Sequence, residues 1–373
     1  MDRRRLLAAG FGSALTPSVA ARANGRRDLR LTLLGQSLIE HELSPAHWPG
    51  RAAIAARLAG ADVCFTNLET VIQGPRAGAP TRERLTLHAG DAGVLETLKG
   101  VHVNLLATAG NHAFDLGSGG VVDTLDAIRA AGLPSAGTGL DLASASEPTW
   151  RATPVGAVGL VAFATGKIRE GGAAAMGRPG VNELRRDAAG QVVEADAARI
   201  LEAIAVARRR ARVVVVYHHN HDWEPDIADV PDWQRTFAHR CVEAGAAAFV
   251  GHGAPVAQGL EVHRAAPLFF GLGNFIFQTE KPQGAYPAEA WESVVAECAF
   301  DGGRCVSVRL LPIVLNEVGL GGPSDMTTRG APTFAGPGRG GTILRRLAAR
   351  SARFGTRIEI RADGEGQVLL PRA

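Results

Sequence analysis

Four short stretches gather the side chains of this sequence that can hold a metal ion or move a proton. "ATAGNHAFDLG" (107–117) leaves a small apolar run through Gly110 and then presents Asn111, His112 and Asp115. "FTNLET" (65–70) supplies Asn67 and Glu69, and "FVGHG" (249–253) supplies His252. "VVYHHNHDWE" (215–224) supplies His218, His219, His221, Asp222 and Glu224. Imidazole, amide oxygen and carboxylate make a mixed nitrogen and oxygen donor set that suits zinc, manganese or iron, with no soft thiolate in it. Two such ions about 3.5–4 Å apart lower the pKa of a bridging water and clamp the attacking and leaving oxygens of a hydrolysed ester. Each group also has a plainer role open to it. Asn67 can cap the following turn, and Asp115 can cap a helix starting near Ser118. At least one of the three clustered histidines is expected to be structural, because alternate side chains of a strand point to opposite faces.

The elements that must position these groups are apolar runs of strand length separated by helical spacing. Leu29–Gly35, Ala61–Asn67, Val103–Asn111, Val158–Ala164, Arg212–His219, Ala246–His252 and Pro267–Phe275 read as buried strands. Arg51–Ala59, Gly119–Ala131, Glu194–Arg210 and Asp232–Ala244 carry helical periodicity. The alternation predicts an α/β layered core. Ligand sites of open α/β sheets lie at the carboxyl ends of strands, where all four polar clusters fall. Gly110 and Gly251 are expected to let the backbone turn and approach a bound group. After Glu292, two strands joined by Asp301-Gly302-Gly303 suit an antiparallel hairpin. A Gly/Pro-rich loop (Gly319–Gly341) then leads to a last helix, Ile343–Ser351, and a short terminal hairpin, while Gly171–Gly190 reads as a surface excursion. Asn274, after Gly271-Leu272-Gly273, either approaches the pocket as a substrate-binding group or bonds the neighbouring loop. Trp223 and Trp233 either form an aromatic wall or pack the loop.

Length and composition allow a large core: 373 residues, 46% hydrophobic, only 5% aromatic and 46 glycines describe a loop-rich globular chain. The net charge of +3, carried partly by arginines near the N-terminus, does not demand nucleic acid as partner. Arg3-Arg4-Arg5, the apolar run Leu6–Ala20 and the small-residue site Ala21-Arg22-Ala23 follow the order of an export signal of twin-arginine type. The run is shorter than the roughly 20 residues of a membrane span, so the chain is expected to meet a membrane only through this signal, residues 1–23. Cys64, Cys241, Cys298 and Cys305 form no C-x-x-C pair and hence no zinc site. Cys298 and Cys305 flank a turn where an oxidising compartment could join them; buried free thiols are the alternative.

The same stretches resemble the bacterial capsule-synthesis CapA family, also described as poly-γ-glutamate biosynthesis proteins, from Leu29 to Phe277. "TNLET" is similar to the family's Asn-Leu-Glu, and "AGNHAFDLGSGGVVDTLDAI" to its Asn-His-x-x-Asp-x-Gly followed by a helix. "GHGAPVAQGLEVHRAAPLFFGLGNFIF" is similar to its Gly-His block that closes with Leu-Gly-Asn-Phe-x-Phe. The resemblance implies a metallophosphatase-like fold, a four-layer α/β/β/α sandwich over 24–318, with 319–373 as a loop, helix and hairpin extension of the same domain. It implies a periplasmic or otherwise extracytoplasmic protein of capsule or poly-γ-glutamate metabolism. Two functional classes follow: a divalent-metal hydrolase of a phosphoester or a γ-glutamyl or related amide bond, or a non-catalytic partner of capsule-assembly proteins that holds an anionic polymer. Implied ligands are Asn67, Glu69, Asn111, one of His218 and His219, His221 and His252. His112 would protonate the leaving group or share ligation, with Asp115 and Asp222 as further acid and base groups. Three departures stand out: Gly35-Gln36 replaces the family's Gly-Asp, Pro255 replaces the last histidine of Gly-His-x-x-His, and "HHNHDWE" departs from His-x-Gly-x-Glu spacing. One ion, or a weak second one, is therefore expected.

Overall fold

Strands with no polar alternation have no face to give to water, so they pair in parallel inside a sheet. Val213–Asn220 is buried at all eight positions and Val63–Asn67 at all five. A computed structural model describes residues 27–223 and 225–371; the export signal read at 1–23 and Glu224 lie outside the described residues. It has a mixed α/β architecture organised on two sheets. The larger has nine strands. Its path runs Ile358–Ile360, Gly366–Val368, Arg304–Leu315, Glu292–Asp301, Leu29–Leu33, Val63–Asn67, Leu105–Ala107 and Ser135–Ala136, with Pro332–Phe334 paired to Arg304–Leu315. The last four strands of that path are parallel and the remainder antiparallel. The second sheet has six strands in the order Leu260–His263, Ala266–Phe269, Ala248–His252, Val213–Asn220, Gly156–Thr165 and Thr149–Thr153. Its four inner strands are parallel and its two edges antiparallel.

Alternation of side chains along each strand decides which groups meet. Leu31, Leu33, Val63, Phe65 and Leu105 share one apolar cluster with Leu160, Val213, Val215, Tyr217 and Val250 of the other sheet. The interleaved Cys64, Leu106, Val295 and Ile313 pack with Ile54, Leu98 and Ile128 from the helices Arg51–Leu58, Gly93–Lys99 and Gly117–Ala130. Val161, Phe163, Val214, Val216 and Phe249 pack with Ile200, Ile204 and Phe237 from the helices Glu194–Arg210 and Asp232–Glu243. The last helix, Pro337–Ala352, sends Ile343, Leu344 and Leu347 into the cluster shared by the two sheets.

Several expectations change. Pro267–Phe275 is not one strand: Ala266–Phe269 belongs to the six-stranded sheet and stops at Phe269, and Asn274–Phe277 pairs separately with Gln36–Leu38. The break lies at Gly273, with φ +80°, where a Cβ on the facing Gly35 would come within 2.4 Å of the Gly273 carbonyl oxygen. The Gly171–Gly190 segment is not wholly superficial, since Val181, Asn182 and Leu184 are buried and Val181 pairs with Thr138. Gly251 serves packing rather than a ligand, because a Cβ there would meet the Phe270 carbonyl oxygen at 2.1 Å. All four cysteines are buried and free. No helix among the described residues is long and apolar enough to cross a membrane.

Candidate functional site

Parallel pairing delivers the polar clusters to one end of the sheets. Asn67 pairs with Ala107, three residues ahead of Gly110, and His219 pairs with His252. Donor atoms of Glu69, His219 and His221 all lie within 4.8 Å of one another. His219 Nε2 is 2.9 Å from Asn111 Oδ1 and 3.7 Å from Glu69 Oε1, and its Nδ1 is 2.9 Å from the Tyr217 hydroxyl. When Nδ1–H donates to the Tyr217 oxygen, Nε2 keeps a lone pair facing the amide and carboxyl oxygens.

The group is short of partners. Glu69 Oε2 and both ring nitrogens of His221 are enclosed, with no hydrogen bond among the described residues. Each such unpaired atom costs about 1–3 kcal/mol. Burial, with the Asp115 charge adding to it and Arg82 opposing, pushes the Glu69 carboxyl up to about 8. Burial likewise holds the His219 imidazole down to about 3 and that of His221 well below its ordinary range. Two neutral imidazoles, an amide oxygen and a carboxyl with no counter-charge are a donor set that a divalent cation would satisfy, so the residues present fit such an ion.

His252 lies on a neighbouring network. Its Nδ1 is 3.1 Å from Asn67 Oδ1 and its Nε2 3.1 Å from the Leu34 carbonyl oxygen. Asn67 Oδ1 also accepts the Ser37 N–H at 3.0 Å, so this amide joins two strand ends rather than capping a turn. Burial holds His252 at about 3, so its single N–H serves one oxygen and the other ring nitrogen faces an oxygen bare. Gln36 Oε1, at the position of the expected aspartate, accepts the Gly253 N–H at 3.0 Å. Asn274 Nδ2 donates to the carbonyls of Pro255 and Ala290 at 3.2 and 2.8 Å, tying loops together.

Beside the donor group stands a hydrogen-bonded histidine–aspartate pair. His112 Nδ1 is 2.8 Å from Asp115 Oδ2. Asp115 is wholly buried, and it also accepts from Arg82 Nε at 2.5 Å and from the His88 N–H at 3.0 Å. These contacts occupy the carboxylate, and the Gly117–Ala130 helix starts without a side-chain cap. Burial outweighs Arg82 and His88 and lifts Asp115 to about 6, while burial, then His88, keeps the His112 imidazole neutral. With Nδ1 bound to Asp115, Nε2 is the position of His112 that can take up or give a proton.

Two sequence-chosen residues stand apart. His218 faces the helix side of its strand, with Nε2 3.0 Å from Thr165 Oγ1 and its ring stacked on Phe163 at 4.6 Å, because strand alternation opposes it to His219. Asp222 is paired with Arg186 at 2.5 Å and is absent from the donor group. Three residues had no sequence signal. Arg82 braces the site by donating to Asp115 and to the Asn111 carbonyl at 2.6 Å; His88 packs edge-on against His112 at 4.4 Å, its Nδ1 2.5 Å from Glu40 Oε1. Arg82 and His88 sit in one loop and Glu40 in another, with spacing that matches no motif; only proximity in the fold exposes them.

Glu69, Asn111, His112 and His221 line a cavity of about 400 Å³. Its rim carries two lysines set over aromatic rings, Lys167 on Trp223 and Lys281 on Tyr286, each 5.1 Å from the ring centre. Trp233 lies elsewhere, against His218 and the Arg186 guanidinium.

The family described as bacterial capsule synthesis protein PGA_cap matches residues 30–279, a span that contains every donor named above. An uncharacterised protein of Sinorhizobium fredii, y4sH, is 27% identical, covering 88% of this chain and 91% of its own. A probable polyglutamine synthesis accessory protein of Mycobacterium tuberculosis is 28% identical, covering 85% of this chain and 80% of its own. The PGA biosynthesis protein CapA of Bacillus subtilis is 30% identical over 49% of this chain and 45% of its own.

Proposed function

The chain belongs to the bacterial capsule synthesis protein family PGA_cap, and on that premise we propose that it is a metal-dependent hydrolase of capsule or poly-γ-glutamate metabolism. The observation that carries this reading is the enclosed, unpartnered state of His221 and Glu69 Oε2 beside His219 and Asn111. Glu69, His219, His221 and Asn111 would hold one divalent ion, of zinc, manganese or iron. When bound, the ion supplies Lewis-acid polarisation of the scissile group and makes water more acidic. The chain's own residues do the rest. His112 moves the proton at Nε2, Asp115 fixes its tautomer through Nδ1, and Arg82 keeps the Asp115 carboxylate in place. Lys167 and Lys281 draw an anionic substrate, a phosphoester or a γ-glutamyl amide, to the cavity mouth. The three apolar clusters support the metallophosphatase-like α/β/β/α layering, and the N-terminal arginines support export to the periplasm.

A second reading, a non-catalytic polymer-binding partner of capsule-assembly proteins, draws on the His252 side of the site. There Gln36 is neutral, Pro255 offers no imidazole, and His252 has both ring nitrogens against oxygens. The deciding experiment loads the purified protein with zinc, manganese or iron. Hydrolysis is then measured on p-nitrophenyl phosphate, its diester and γ-glutamyl-p-nitroanilide beside Glu69→Gln and His221→Ala. The hydrolase reading expects metal in the cavity and turnover in the parent, and in the variants no turnover and one metal equivalent fewer. Equal turnover in all three proteins, or metal-free inert parent protein, leaves the assembly reading standing.

A further inference from the structure

A second group of donors meets at the far edge of the six-stranded sheet. His239 comes from the Asp232–Glu243 helix, and Glu261 and His263 from the Leu260–His263 strand; one donor atom of each lies within 4.8 Å of the others. That edge strand runs antiparallel to its neighbour Ala266–Phe269, with His263 opposite Ala266, so His263 stands at the end of the sheet away from His252.

Two features of the group point to an ion. The Nε2 atoms of His239 and His263 are both enclosed, and neither has a hydrogen bond among the described residues. Their rings are stacked, with centroids 3.9 Å apart and planes 5° from parallel, which keeps the two imidazoles side by side. His239 Nε2 is 3.0 Å from Glu261 Oε1 yet is not aligned to donate to it. Glu261 is gripped from its other side by Arg235, whose Nε and Nη2 donate to Oε2 and Oε1 at 2.8 and 2.9 Å. A carboxylate oxygen has two lone pairs, so Arg235 fixes the carboxylate and leaves one lone pair of Oε1 toward the imidazoles. An outer partner that orients a ligating group in this way is a regular part of metal sites. Two imidazole nitrogens and one carboxylate oxygen make a three-ligand set with an open fourth position.

We infer that His239, Glu261 and His263 bind a divalent ion of the zinc class, independently of the Glu69 group. The ion joins the Asp232–Glu243 helix to the sheet edge.

The test uses the full chain, stripped with chelator, titrated with Zn²⁺ or Co²⁺ and counted by elemental analysis after gel filtration. Glu69→Gln/His221→Ala protein, which lacks the cavity site, is expected to keep one equivalent of zinc and to show a cobalt absorption band. Adding His239→Ala/His263→Ala removes both signals. In the otherwise unchanged chain the same pair lowers the count by one and leaves the cavity ion in place. His263→Gln, a milder change, should weaken zinc binding about tenfold or more, with circular dichroism unchanged. An identical zinc count and cobalt spectrum with and without His239 and His263 overturns the inference. Loss of metal only on changing Glu69 and His221 overturns it as well. Should the cavity bind nothing while the edge still binds, the hydrolase reading fails and this one stands.

Discussion

Glu69 and Glu261 are both nearly buried glutamates beside two histidines, yet their surroundings drive them in opposite directions. Burial raises the Glu69 carboxyl to about 8, with Asp115 close by and no cation in contact. Burial also works against the charge of Glu261, but Arg235, donating to both of its oxygens, leads the groups that outweigh it and hold the carboxyl below its ordinary range. One carboxylate is therefore missing a positive charge and the other already has one. The difference teaches that a cluster of ligand types is informative through what satisfies it, and that the cavity has the greater need of an ion. It also separates binding from chemistry, since only the cavity group has a proton carrier alongside, in His112.

The widest gap between the two regions should appear in turnover. His112→Asn is expected to lower hydrolysis about 10²–10⁴-fold while leaving both metal equivalents bound; elemental analysis beside steady-state rates checks this. Survival of hydrolysis in His112→Asn, with loss in His239→Ala/His263→Ala, would reverse the assignment of roles. Next comes stability. Arg82 and Asp115 form a buried pair, so Arg82→Ala leaves an uncompensated carboxylate and should cost about 3–5 kcal/mol in urea unfolding. Arg235 is 40% exposed, and Arg235→Ala should cost about 0–1 kcal/mol. Equal losses would show that the cavity is no better braced than the edge. The smallest contrast lies in pH. Metal uptake at the cavity must expel the proton that Glu69 holds below about 8. Its affinity should therefore rise about tenfold per pH unit from 6 towards 8 and then level off, one proton being released per ion. Glu261, already ionised, releases none in that window. Zinc titrations of the Glu69→Gln/His221→Ala and His239→Ala/His263→Ala proteins separate the two slopes.

The sequence identified the cavity donors because each follows an apolar strand, and position at a strand end survives folding. It left His218 and His219 undecided for a definite reason. Val213 to Val216 are all apolar, so the pattern carries no mark of which face is which; Tyr217 in the cluster between the sheets settles the parity. Asp222 is one residue past His221 and turns to Arg186, a long-range partner that no local spacing announces. Arg82 and His88 reach the site from one loop and Glu40 from another, neither with any periodicity. His239 and His263 belong to a helix and an edge strand, and without the pairing of sheet and helix nothing relates them. The break at Gly271–Gly273 was hidden because mostly apolar residues flank the two glycines, and only the approach of Gly35 reveals the bend.

Leu29–Leu33 takes Glu292–Asp301 as its antiparallel neighbour, a partnership across most of the chain. Until that late segment arrives, the opening strand has one bare ladder of amides and carbonyls, and such edges recruit other chains. Contacts this distant also slow folding. A fragment trimmed to the matched span would therefore be a sticky, unfinished sheet rather than a smaller working protein, and assembly of the whole waits on its final quarter.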